Sequence, residues 1–143
     1  MVLPGLRRVS TLVVDVGWSE STPRMLDDMN LWLVGEDTVL AVLIVEWKRV
    51  GDTNRVTGTA ECYTRDSTRM PIRRQREQVF PAPAREEAEA QVFRFTRDML
   101  SGGSGAVMFS GRRGDEGEVL TLRIEELRSA ARNALGRMGL VPA

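Results

Sequence analysis

Residues 9–47 decide the fold. Val9–Val16 reads VSTLVVDV, a short run that is β-branched and nearly continuous in apolar residues, with one acid, Asp15, inside it. That pattern predicts a buried strand. Gly17 is expected to end it. Thr22 then suits a helix N-cap, and Pro23 suits the first helical turn. Met25, Leu26, Met29, Trp32 and Leu33 recur at helical spacing and form one apolar face, and Gly35 is the natural stop. Thr38–Trp47, TVLAVLIVEW, is the strongest strand signal in the chain. Strand, helix and strand together predict a βαβ unit, whose crossover is right-handed in about 98% of cases.

Downstream the pattern turns mixed. Gly51–Asn54 has turn chemistry, and Thr57–Tyr63 is expected to run back antiparallel to the strand before it. Residues 65–90 hold Pro71, Pro81 and Pro83, the arginines 69, 73, 74 and 76, and the acids 86, 87 and 89, with little apolar periodicity. They read as an irregular surface excursion, with a short helix starting at Glu86. Gln91–Phe95 and Ala106–Ser110 are short strand candidates; Arg97–Leu100 closes the first of them or forms a helical turn. Glu118–Ile124 alternates cleanly, as a half-buried strand does. Glu125 opens a last helix with the stripe Leu127, Ala131, Ala134, Leu135 and Met138, stopped by Gly139 and Pro142. The expected architecture is α/β or α+β: one domain over residues 1–143, with a mixed sheet of four to six strands, an N-terminal βαβ unit and a C-terminal helix.

Composition excludes several chemistries. The 143 residues include no His, which removes Ser-His-Asp and Cys-His catalysis and imidazole metal ligands. A single Cys, Cys62, allows neither an internal disulfide nor a thiolate zinc cluster, and in a predicted strand it reads as a buried small residue. Basic and acidic residues number 20 each, and all the basic ones except Lys48 are arginine. No overall field steers the chain toward nucleic acid. No apolar run approaches the roughly 20 residues of a membrane span, and no signal peptide is evident, so a soluble intracellular protein with no membrane partner is expected.

Three constellations could carry chemistry. Asp15 sits near a strand C-terminus, where open α/β sheets place ligands, with Glu20 close behind it as a second metal-ligating carboxylate. The plain alternative is a carboxylate that caps a turn. Glu46 and Lys48 lie two apart on a strand and share a face, as an acid holding Mg²⁺ and an ammonium stabilising developing charge would. Their plain alternative is a strand end emerging into solvent. Arg69, Arg73, Arg74 and Arg76 could contact phosphates from a flexible loop, or be a solvated surface.

The stretch from Leu12 to Ser21, LVVDVGWSES, then Leu26-Asp-Asp, Leu31-Trp-Leu and the apolar strand, is similar to a group of uncharacterised fungal proteins. The close, Glu118-Val-Leu-Thr-Leu and the helix after it, is similar too. That group resembles the PD-(D/E)XK restriction-endonuclease-like superfamily, whose site has one acid upstream and then acid-x-Lys. Two alignments follow. One puts Asp15 at the acid of acid-x-Lys, because a helix and a parallel strand come next. The Lys position then falls on Gly17, Arg24 is the nearby basic substitute, and the upstream acid would have to come from a segment preceding residue 1. The other takes Asp15 as the first acid and Glu46–Lys48 as acid-x-Lys; the residue types fit, but another strand, not a helix, follows. The first alignment is preferred and implies an incomplete catalytic site. The resulting expectation is a nuclease-like domain that serves as a degenerate binding or assembly module, with no certain cofactor and with Mg²⁺ if it is active. Its rivals are an Mg²⁺-dependent phosphodiester hydrolase and a homo-oligomerising domain that pairs an exposed strand edge with a second copy.

Overall fold

The computed structural model describes residues 11–96 and 118–143. The chain runs β1 (Thr11–Trp18), a 3-10 turn (Ser19–Ser21), α1 (Thr22–Gly35), β2 (Val39–Arg49), β3 (Arg55–Arg65), β4 (Pro71–Phe80) and α2 (Arg85–Ala90). It continues with β5 (Val92–Thr96), β6 (Glu118–Arg123), α3 (Ile124–Arg137) and the short β7 (Val141–Pro142). The main sheet has the order β1-β2-β3-β4; β7 pairs with β3, and β5 and β6 form a separate antiparallel pair. β1 and β2 are parallel, whereas β2-β3 and β3-β4 are antiparallel. The α/β class, the mixed sheet, the N-terminal βαβ unit and the C-terminal helix are all present. The Ala106–Ser110 strand candidate and the Arg97–Leu100 segment lie outside the described residues.

β2 explains the layering. Its residues Val39–Val45 are buried without interruption, and Trp47 follows. A strand buried on both faces needs a cover on each side. Val42 and Ile44 point to α1 and pack with Met25, Met29 and Leu33. Leu43, Val45 and Trp47 point the other way, to Phe93 and Phe95 of β5 and to Ile124, Ala131 and Leu135 of α3. The helical stripe read from the sequence is therefore the face α1 buries.

Two glycines permit close approaches. The strand continues through Gly17 to Trp18, contrary to the expected break. A Cβ on Gly17 would lie 3.0 Å from Met25 Sδ, so the missing side chain lets α1 sit down on β1. On β3, a Cβ on Gly58 would lie 2.2 Å from Trp47 Cζ3. The Trp47 ring occupies that space and stacks on Phe80, with centroids 5.8 Å apart.

Two buried arginines tie the layers together. Arg65 donates from Nε to Leu33 O, from Nη1 to Val39 O and from Nη2 to Glu36 O, each at 2.6 Å. These bonds satisfy carbonyls where α1 ends and β2 begins, a helix end that would otherwise strand its acceptors. Arg128 is fully buried. It donates to Val79 O at 2.7 Å and to Gln78 O at 2.9 Å, hydrogen-bonds Gln91 Oε1, and pairs with Glu125 at 3.1 Å. This corrects the reading of the last helix: Ala134 and Met138 are exposed, and Arg128 takes a buried position on the inner face. Hydrophobic periodicity cannot see a guanidinium held by the carbonyls of Gln78 and Val79, the Gln91 side chain and the Glu125 carboxylate.

Residues 65–90 are not an irregular excursion. β4 pairs with β3 from Pro71 to Phe80, and α2 follows at Arg85. The strand escaped periodicity analysis because it is the edge of the sheet. Only Val79 and Phe80 are buried, and the rest of its residues, Pro, Ile, Arg, Gln and Glu, are exposed or half-buried.

Two outcomes follow for stability. Gly58→Ala must displace the Trp47 ring, and overpacking of this kind costs about 1–3 kcal/mol; Gly35→Ala, where nothing lies within 4 Å, should show no such loss in the same urea titration. Hydrogen bonds from Arg128 and Arg132 hold the Glu125 carboxyl below its usual range. A carboxyl depressed on folding stabilises the native state above its unfolded pKa, and that contribution fades as pH falls through the folded value. Glu125→Gln should therefore lower the melting temperature at neutral pH and show a shallower loss below the ordinary carboxylate range.

Candidate functional site

Strand alternation settles which residues share a face. Val13 packs in the α1 cluster, and Gly17 faces Met25, so Asp15 between them also faces the α1 side. Val42 and Ile44 face α1, so Glu46 and Lys48 continue on that side of β2. In the parallel register Asp15 pairs with Ile44 and Gly17 with Glu46. Glu46 is thus the diagonal neighbour of Asp15, about 8 Å away between Cα atoms on ideal strand geometry. The place a Gly17 side chain would take beside them is filled by Met25.

Asp15, Glu46 and Lys48 are brought to one face, at the C-terminal half of the parallel strand pair. The residues around them are only partly assembled into a site. Glu46 accepts a hydrogen bond from Thr22 Oγ1 at the start of α1. The expected N-cap duty of Thr22 is thereby redirected: Ser21 holds the cap position without a side-chain bond, and Thr22 engages the carboxylate. A negative charge at a helix N-terminus is favourable in its own right, so Glu46 has a structural role there. Glu20 lies exposed in the 3-10 turn and Arg24 is exposed in the first turn of α1. Lys48 is exposed near the end of β2. Among the described residues no three or more Asp, Glu or Cys side chains gather as a metal-holding group.

The arginines do not form a loop. Arg69 lies in the turn before β4, with a left-handed backbone φ of 65°. Asp66 builds that turn by accepting from Thr68 N, Thr68 Oγ1 and Met70 N, and these bonds hold its carboxyl below the usual range. Arg73, Arg74 and Arg76 lie on β4 itself. Each of the four already has an acceptor. Arg69 pairs with Asp37 at 3.0 Å; Arg73 and Arg76 pair with Glu61 at 3.5 and 3.3 Å. Arg74 donates to Thr64 Oγ1 at 2.7 Å and Arg65 O at 2.9 Å. A phosphate would compete with these partners for the guanidinium N–H groups.

Glu61 is the residue that motif reading missed. It lies directly between Ile44 on β2 and Arg76 on β4, and it also accepts the Tyr63 hydroxyl proton in a hydrogen bond. Burial first, and then the bond to Glu61, push the Tyr63 phenol above its usual range. The one visible signal is the alternation of β3, where Thr59, Glu61 and Tyr63 share the α1-facing side. Cys62 points to the opposite core and is buried; burial pushes its thiol up to about 12, so no thiolate nucleophile is present at neutral pH.

If Glu61 is what holds the β4 arginines, removing its charge releases them. Glu61→Gln should raise the salt concentration at which the protein leaves a heparin column, and adding Arg73→Ala and Arg76→Ala should reverse that gain. Its stability cost should be about 1 kcal/mol, because both arginines are exposed and only Glu61 is half-buried. Compared with protein-family models, with curated proteins and with solved structures, the chain matches none.

Proposed function

We propose that this chain is a nuclease-like domain with an incomplete metal site, acting as a binding or assembly module and not as a hydrolase. The observation that carries this reading is the state of the shared face. Asp15, Glu46 and Lys48 share the α1-facing side of the sheet, yet Glu46 is bound by Thr22, Glu20 is exposed, and no group of three or more carboxylates forms among the described residues. With Asp15 and Glu46 about 8 Å apart at the backbone on ideal strand geometry and Glu46 already engaged by Thr22, the face offers a hard divalent cation at most two carboxylates, and water would have to complete its octahedral shell. The resemblance of residues 9–48 and 118–140 to the PD-(D/E)XK superfamily supports the reading, in the alignment that sets Asp15 at the acid of acid-x-Lys and leaves Gly17 at the Lys position.

A second reading rests on one feature. Asp15 and Glu46 are diagonal neighbours on the α1-facing side of the parallel pair, and Lys48 sits two residues beyond Glu46 on that side. An Mg²⁺-dependent phosphodiester hydrolase would need this arrangement: two acids for the metal and an ammonium near the scissile phosphate. In that reading the β4 arginines would track the nucleic-acid backbone after exchanging Glu61 for phosphate.

Supercoiled-plasmid nicking separates the two. With Mg²⁺ and then Mn²⁺, the purified folded protein should leave plasmid intact, indistinguishably from Asp15→Ala. Metal-dependent cleavage that disappears in Asp15→Ala and in Lys48→Ala would overturn the degenerate reading and establish the hydrolase.

A further inference from the structure

The two edges of the main sheet are chemically opposite. β4 carries Arg73, Arg74, Arg76 and Glu77 along its length, and Arg128 takes the carbonyls of Gln78 and Val79. Charges on an edge strand discourage pairing with another chain. β1 has no such protection. Its only charge is Asp15, which faces α1. On its other face Val14 and Val16 are 50% and 53% exposed, beside the buried Leu43 and Val45 of β2. Among the described residues no strand pairs with the outer edge of β1. An apolar edge in parallel register is an unusual thing to leave in water.

We propose that β1 is a homodimer edge, on which the β1 of a second copy adds antiparallel across a two-fold axis normal to the sheet. The strand is complementary to itself. An axis of this kind keeps faces matched, so the apolar face of one copy continues into that of the other. The axis cannot pass through Asp15, because two like charges would then stand directly opposite. Through Val14 it sets Val14 against Val14 of the second copy and Leu12 against Val16 of the second copy, and it overlaps residues 11–17. Through Val16 it overlaps only residues 14–18, so the Val14 axis gains more backbone pairs. A second copy also explains why one edge is charged and the other is not: with β1 joined to β1, the two charged β4 strands become the ends of a continuous sheet. Strand addition alone makes an interface near the low end of specific ones, so the dimer should be weak and concentration-dependent. This goes beyond the reading of the acid face, which neither requires nor excludes it.

Sedimentation velocity should show a reversible monomer-dimer equilibrium in the micromolar range. Val14→Lys with Val16→Lys should hold the protein monomeric over that range with an unchanged circular dichroism spectrum. Leu31→Lys, an even more exposed apolar position on α1, should leave the dimer intact. Facing residues in an antiparallel pair have Cα atoms about 4.5–5.5 Å apart, within the disulfide range. Val14→Cys in a Cys62→Ala background should therefore form a covalent dimer on mild oxidation. A protein monomeric at every concentration overturns the proposal, as does a dimer that survives the two lysines or fails to crosslink through position 14.

Discussion

Burial of β2 on both of its faces is the constraint from which the remaining structure follows. A strand with seven consecutive buried residues, Val39–Val45, has no solvent side to offer. It must lie inside the sheet, with β1 on one flank and β3 on the other, and it must be covered twice. α1 provides one cover through Met25, Met29 and Leu33. The β5-β6 pair and α3 provide the other through Phe93, Phe95, Ile124 and Leu135. Where the α1 cover stops, the same strand turns polar on that face at Glu46 and Lys48. The candidate site is the end of the covered region, which is why its residues share a face without converging on one point.

The polar interior is organised by arginine. Arg65 and Arg128 are charges in the core, and burying a charge is costly unless it is well hydrogen-bonded. Both are satisfied chiefly by backbone carbonyls, at the end of α1 and at the end of β4. Removing either would strand several buried acceptors at once. The same residue type on the surface behaves differently: Arg73 and Arg76 share Glu61, and Arg69 engages Asp37, in exposed pairs of small energetic value.

The legibility of the sequence tracked solvent exposure. The βαβ unit was readable because its apolar residues are core residues, and Met25, Met29, Leu33 and the run from Val39 do in the structure what their spacing implies. The antiparallel return of β3 was readable for the same reason. β4 was not, because an edge strand of arginines and glutamines carries no apolar period, and only its pairing with β3 makes it a strand. Arg128 was not, because its burial depends on carbonyls contributed some 50 residues away in the chain. For the site, the common face of Glu46 and Lys48 followed from strand alternation, but the position of Asp15 beside Glu46 needed the parallel register. The engagement of Glu46 by Thr22 and of the β4 arginines by Glu61 is tertiary, and nothing in local sequence announces it.

The most direct test of the account asks whether the Asp15–Glu46 face holds a divalent cation. Titration of the protein with Mn²⁺, followed by the loss of the free-ion electron paramagnetic resonance signal, reads that occupancy without any assumption about substrate. An incomplete site predicts no stoichiometric binding in the micromolar range, and the same curve for wild type, Asp15→Ala and Glu46→Gln. One Mn²⁺ bound per chain, lost in both variants, would contradict it and show that the two carboxylates complete a site.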